Sequence, residues 1–369
     1  MLAKRYYSNF IHFILKKFLT LNETPIAPLT NPSNFLVVRQ HNQLGDLLSG
    51  VSILRAIKEK CPQSKTTLIV SPVNYTGLVK NKFIDELFIF DKKKLLLPVY
   101  FFKLYKILKK QYDAAIVPVT VSISFTSNLL CRFSNSKIRI GARSLDGKPN
   151  ESAYLFDKLV DIDWRKFPDS NVGDRILDII RPFGIDTNNF RSEITFDEKD
   201  TEAADKFLKS LDIRSQDIVI GFHCGAGKKT NRWSLIKYVE LMKQLNQDFN
   251  AKLYLTGSAT DKEEISYILK NVRFKLGLFL NSSIPEVAAL ISKSTLFISN
   301  DTGIMHVAGT TNTPQISIFG PTDPFNWAPI GENKHYIRKS DLIDDVTLED
   351  VYDLCKNILS KGESHLTTR

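Results

Sequence analysis

Short apolar runs alternate with amphipathic stretches along most of the chain. "NFLVVR" (34–39), "KTTLIV" (65–70), "DELFIFD" (85–91) and "YDAAIVPV" (112–119) are too short for helices and suit buried strands. After the first of them comes a polar loop with Gly45 and then a helical pattern reaching "LRAIKEK", with Asp46 near the helix start. A second series opens at "DIVIGFHCGAG" (217–227). It continues through the helix "SLIKYVELMKQLNQ", the strand "KLYLTG", the helix "SIPEVAALISKS", and the strands "LFIS" (296–299) and "PQISIFG". "TLEDVYDLCKNILS" predicts a C-terminal helix.

This alternation predicts an α/β protein with parallel sheets. Two such series joined near residues 165–200 predict two Rossmann-like domains facing across a cleft. The expected divisions are an amphipathic N-terminal segment (1–30), a first domain (31–168), an interdomain region (169–210), a second domain (211–335), and a C-terminal helix and tail (336–369). A chain of 369 residues is long for one core and natural for two domains.

With 43% hydrophobic and 24% charged residues the composition is that of an ordinary globular protein. Lys and Arg number 50 against 40 Asp and Glu, a net charge of +10 that favours anionic partners. Cys61, Cys131, Cys224 and Cys355 are scattered, with no CxxC or Cys/His cluster. A reducing cytoplasm without structural zinc is expected.

Two basic-apolar stretches bear on location. In the N-terminal segment, Phe10, Ile11, Ile14, Phe18 and Leu21 fall at helical spacing near Lys4, Arg5, Lys16 and Lys17. His12 and the lysines interrupt it too often for a membrane span, and no small-residue cleavage site follows. A helix in a membrane interface and a helix packed on the body both fit. In "DKKKLLLPVYFFKLYKILKK" (91–110), seven lysines are interleaved with Leu, Tyr and Phe, a pattern that suits an anionic membrane surface or a solvated amphipathic helix. No nucleic-acid module accompanies it, and nucleic acid is not an expected partner.

The chemistry concentrates in two turns. Asp301-Thr302-Gly303 resembles the aspartic-protease triplet, but that chemistry needs two carboxylates sharing a proton, and there is one DTG here and no DSG. Ile304, Val307 and Ala308 follow at helical spacing, which puts the triplet at a strand-to-helix turn with Asp301 or Thr302 as N-cap and the first amides as an anion site. His306 lies one turn on, on the side of the same ligand or in the core. "GFHCGAGKKTNRWS" (221–234) fails as a Walker A motif, because Phe222 stands six places before Lys228 and no Ser or Thr follows that lysine directly. It remains a Gly-rich turn, with Gly225 and Gly227 permitting close backbone approach and Lys228, Lys229 and Arg232 available to phosphate oxygens. Two anion sites in one domain fit one diphosphate. "DID" at 161–163, a metal-binding pattern in some sugar-nucleotide enzymes, lies outside that domain and is read as chance.

"NDTGIMHVAGTTNTPQISIFGPTDPFNWAP", preceded in the same order by "LGD" and "GAG…RW", resembles the signature of glycosyltransferase family 9, the heptosyltransferases of lipopolysaccharide assembly. The similarity runs over roughly residues 34 to 330. It implies a GT-B fold, an N-terminal acceptor domain, a C-terminal nucleotide-sugar domain, and inverting transfer without a bound metal or other cofactor. By motif, Asp46 corresponds to the general base, and Asp301, Thr302, Gly303 and His306 to the donor site. Gly225, Gly227, Lys228, Lys229 and Arg232 complete the expected donor contacts. The family usually has Lys-Arg-Trp-Pro where this chain has Asn231-Arg232-Trp233-Ser234. Lys228, Lys229 or Arg232 then has to supply the missing charge, or the donor differs. The expected partners are a nucleotide-diphosphate sugar, ADP-heptose favoured, and a lipid-linked saccharide acceptor at the inner face of the cytoplasmic membrane. A sugar-nucleotide epimerase or hydrolase of the same fold, and a non-catalytic nucleotide-sugar-binding protein, are the alternatives.

Overall fold

The computed structural model describes residues 15–40, 43–73 and 75–366. They form two compact units. The first takes in the chain up to Tyr75 together with Lys82–Phe190; the second takes in Thr76–Asn81 and everything from Arg191 on. The main division thus falls inside the 169–210 stretch.

The first unit holds a seven-stranded sheet: β1 (Asn34–Arg39), β2 (Lys65–Val70), β3 (Glu86–Ile89), β4 (Tyr112–Ile116), β5 (Ser136–Leu145), β6 (Lys148–Pro149) and β7 (Lys158–Ile162). Its order is β3-β2-β1-β4-β5-β6, with β7 also on β5, and every pairing but β5–β6 is parallel. The antiparallel exception is local. Asp146 and Gly147 both take positive φ and close the tight hairpin that joins those two strands. Leu36, Val38, Ile69 and Ala115 make the sheet's contribution to one core, on which the helices Pro98–Lys109 and Phe125–Phe133 lay Leu104, Leu108, Leu130 and Cys131.

In the second unit β8 (Val219–His223), β9 (Lys252–Gly257), β10 (Leu276–Leu280), β11 (Leu296–Asn300), β12 (Gln315–Ile318) and β13 (Lys334–Ile337) form an all-parallel sheet of order β10-β9-β8-β11-β12-β13. Crossovers hide both faces, so β8 and β11 are buried throughout. Val351, Cys355 and Leu359 of the C-terminal helix Leu348–Leu366 pack into the same core as Ile220, Leu253 and Ile316.

Both sheets reverse strand order beside their first strand, between β1 and β4 and between β8 and β11. Two Rossmann-like units of this kind are the GT-B architecture expected above. The amphipathic N-terminal helix was expected around Phe10, Ile11 and Ile14, which with Lys4 and Arg5 lie outside the described residues. Of its described end, Leu19 packs against the first unit's core while Phe18 is exposed, and the Leu21 amide donates to the Tyr154 carbonyl. No helix among the described residues is long and apolar enough to cross a membrane.

Candidate functional site

Strands β8 and β11 are neighbours in register, with His223 opposite Ser299, so the chain leaves both at one point of the sheet. This is the second unit's switch point, where ligands of open α/β sheets bind beyond the carboxyl ends of strands. Three motif segments meet there: the Gly-rich loop after β8, the Asp-Thr-Gly turn after β11, and Gly320-Pro321-Thr322 after β12.

Asn300, fully buried as the last residue of β11, ties the first two together. Its side-chain oxygen accepts from the Trp233 amide (3.2 Å) and the Tyr238 hydroxyl (3.0 Å), while its nitrogen donates to the carbonyls of Cys224 (2.8 Å) and Gly225 (3.3 Å). All four hydrogen-bonding positions of the amide are thereby used. Gly225 is fixed by a different neighbour. A Cβ there would lie 2.1 Å from Oδ1 of Asp261, a residue that also caps the turn at Ser258 after β9. Gly227 has open space around its Cβ direction and is exposed, so packing does not demand glycine at that position.

The cations of the loop divide. Lys228 and Lys229 are exposed. Arg232 instead folds back, its guanidinium donating to the Ala226 carbonyl and pairing with the buried Glu264. Much of Arg232 is therefore committed to bracing the loop, a role that its sequence position did not distinguish from phosphate binding.

Asp301 is the point of convergence. Its carboxylate accepts from the Asn231 side chain at 2.8 Å and from Thr322, and the Lys228 ammonium acts on it through space. Burial pushes its pKa up; Thr322 and Lys228 oppose that shift. Its amide donates to the Ile318 carbonyl, tying the turn to β12. Thr302 occupies the N-cap position of the short helix Gly303–Gly309 but makes no side-chain cap bond, and Thr302 and Gly303 are both partly exposed. His306, one turn on, is buried and pushed down to about 4 by desolvation, so at neutral pH it is an uncharged ring within the packing. The end of the motif is a packing device as well: a Cβ on Gly309 would lie 2.4 Å from the Pro329 side chain, so the glycine makes room for Trp327-Ala328-Pro329.

In the first unit, the helix Leu44–Ser49 follows β1 and brings Asp46 into its first turn, 4% exposed. The N-cap position of this helix belongs to Gln43, and Asp46 stands in the first turn after it. Behind it, the Arg39 guanidinium donates to the Asp46 carbonyl through Nε and Nη2, and the Ser49 hydroxyl donates to the same oxygen. Burial pushes Arg39 down to about 10, against the pull of the Asp46 charge.

The "DID" carboxylates are occupied structurally. Asp161 accepts from the Ser144 hydroxyl at 2.6 Å, and Asp163 caps its turn and pairs with Arg165 at 2.8 Å. Among the described residues no three His, Cys, Asp or Glu side chains are grouped so as to hold a metal ion. The partners that sequence reasoning missed are Asn231, Asn300, Thr322 and Asp261. Asn231, Asn300 and Thr322 sit inside the quoted motifs, where type alone did not set them apart.

The family model for glycosyltransferase family 9 (heptosyltransferase) matches residues 101–350. Lipopolysaccharide heptosyltransferase 3 of Escherichia coli is 24% identical over 301 residues, 78% of this chain and 84% of that protein. Among solved structures, a family 9 glycosyl transferase from Veillonella parvula superposes with a TM-score of 0.77 at 20% identity, covering 89% of this chain and 97% of its own. The E. coli ADP-heptose lps heptosyltransferase II gives 0.73 at 21%, covering 89% and 99%. The family match spans well over half of the sequence, and the chain belongs to glycosyltransferase family 9.

Proposed function

We propose that this family 9 glycosyltransferase moves a heptose or related sugar from a nucleotide-diphosphate donor, ADP-heptose favoured, to a lipopolysaccharide core or other lipid-linked glycan. Transfer inverts the anomeric centre and uses no bound metal, and the enzyme works in the cytoplasm at the inner face of the cytoplasmic membrane. The observation that carries the donor half is the junction at Asp301, where Lys228, Asn231 and Thr322 meet at the second sheet's switch point. Asn231 and Thr322 hold the Asp301 carboxylate by hydrogen bonds, so the exposed Lys228 and Lys229 and the amides at the start of the turn are the groups available to phosphate oxygens. The names of the relatives, among them an ADP-heptose enzyme, support the choice of donor.

In this reading the acceptor hydroxyl loses its proton to Asp46 as its oxygen bonds to the anomeric carbon and the bond from that carbon to the diphosphate breaks. Charge grows on the departing diphosphate, and fixed cations and backbone dipoles stabilise it without reorganising. Arg39 holds the Asp46 main chain in place. Family membership favours transfer over epimerisation or plain binding.

A thermal-shift panel of nucleotide sugars tests the donor. A ligand at 100 times its Kd adds about 2.7 kcal/mol, so ADP-heptose should raise Tm well above UDP- and GDP-sugars. A larger shift with another nucleotide would reassign the donor. Product NMR reads the anomeric outcome, and turnover that chelator abolishes would refute metal independence.

A further inference from the structure

The helix Pro98–Lys109 is seated on the first unit by Leu104, Ile107 and Leu108 and presents an apolar surface that no other described residue covers. Leu96 and Leu97 before it and Val99 and Phe102 on it are exposed, Leu96 by 95%. On its flank, a groove of about 600 Å³ runs between this helix and Phe125–Phe133, within the roughly 300–1,000 Å³ of ligand-sized pockets. Phe101, Tyr105, Leu108, Leu129 and Phe133 line it, with Lys92 and Lys109 as its cations. Lys93, Lys103 and Lys106 are exposed nearby, and with Lys92 they have no ion-pair partner among the described residues, whereas Lys110 is paired with Glu86.

An apolar surface this large on one element is costly in water. Its cationic border makes a neutral protein or a neutral lipid a poor match, and the pairing of apolar face with lysines fits a surface whose interior is hydrocarbon and whose rim is negative. We infer that this helix and groove form a docking surface for anionic phospholipid in a bilayer. Leu96, Val99 and Phe102 enter the acyl region, one acyl chain lies in the groove between Phe101 and Phe133, and the unpaired lysines meet the phosphates. The inference deepens the lipid-linked acceptor reading by naming the surface that brings the enzyme to its acceptor, but lipid binding itself needs no donor and no turnover.

The test uses the full chain without nucleotide. In flotation with vesicles of phosphatidylcholine, alone or mixed with phosphatidylglycerol, the anionic vesicles should bind at least about tenfold more protein. High salt should release most but not all of it, because the lysine contribution is screened and the apolar one is not. Leu96→Glu/Phe102→Glu alters only exposed side chains and should lower binding at least about tenfold while leaving the melting curve in place. Tyr105→Trp should be quenched by acyl-chain-brominated lipid, which reports on the groove. Equal recovery on neutral and anionic vesicles would overturn the anionic preference. Full binding by the double Glu variant, or an unquenched Tyr105→Trp in a bound protein, would overturn the inserted helix and the acyl groove respectively. Loss of ADP-heptose turnover with vesicle binding intact would count against the transferase reading and leave this surface standing.

Discussion

Asn300→Asp exchanges one NH₂ for one oxygen at the residue that joins the two donor-domain loops. The oxygen that accepts from Trp233 and Tyr238 is retained, but the other atom now faces two carbonyls, Cys224 at 2.8 Å and Gly225 at 3.3 Å, in a fully buried position. An ionised carboxylate there is repelled by both carbonyl dipoles and deprived of water, and both effects favour the protonated acid. Protonated, it donates one O–H and restores one of the two lost bonds, at a cost of about 1 kcal/mol. The folded pKa is therefore raised above the unfolded value near 3.9. Above that value the unfolded chain has released a proton that the folded chain still holds, so stability falls as pH rises, by about 1.36 kcal/mol per pH unit. Between pH 4.5 and 7.5 the deficit relative to wild type should grow by about 4 kcal/mol if the acid remains protonated throughout, within the roughly 3–5 units that burial can impose. Urea unfolding of both proteins, followed by tryptophan fluorescence at each pH, reads the difference directly. A deficit independent of pH would show that the site tolerates the charge and that the carbonyl contacts do not govern it.

Gly225→Ala should destabilise the protein by about 1–3 kcal/mol, because its Cβ falls 2.1 Å from Asp261, whereas Gly227→Ala meets open space and should change the urea midpoint little; equal effects would refute the assignment. His306, pushed down to about 4, stays neutral in the folded state while the unfolded chain takes up a proton below about 6.5, so its contribution is complete above pH 6.5 and is lost as pH falls towards 4. That loss amounts to about 3 kcal/mol, and His306→Gln should flatten this part of the stability profile; parallel profiles would count against it. Arg232→Ala strands the buried Glu264 and should lower stability by about 3–5 kcal/mol, while Lys228→Ala/Lys229→Ala should leave the fold intact and weaken donor binding at least about tenfold by calorimetry. Unchanged affinity in the lysine variant would remove those side chains from the site. Asp46→Asn should cut turnover by at least about a hundredfold with donor affinity unaltered; near-normal turnover would exclude it as the base.

The alternation of apolar runs with helical patterns was enough to determine the class of the fold, because a strand buried on both faces and a helix buried on one leave different periods in the sequence. The same reading placed β1, β2, β3, β4, β8, β9, β11 and β12, and the motif spacing carried the family. It did not resolve β5, β7, β10 or β13, whose burial is mixed and whose pattern is correspondingly weak. Nor could residue type divide the loop cations, since Lys228 and Arg232 carry the same charge four positions apart, and it was Glu264, from a helix thirty-odd residues later, that claimed the arginine. Asn231, in a turn, and Asn300, at a strand end, are ordinary residues until β8 and β11 are set side by side; then one amide meets Asp301 and the other stitches two turns. Periodicity records which side of an element is dry, and that is a local property. Which polar group answers which depends on strands brought together from seventy or more residues apart, and only the folded sheet supplies that proximity.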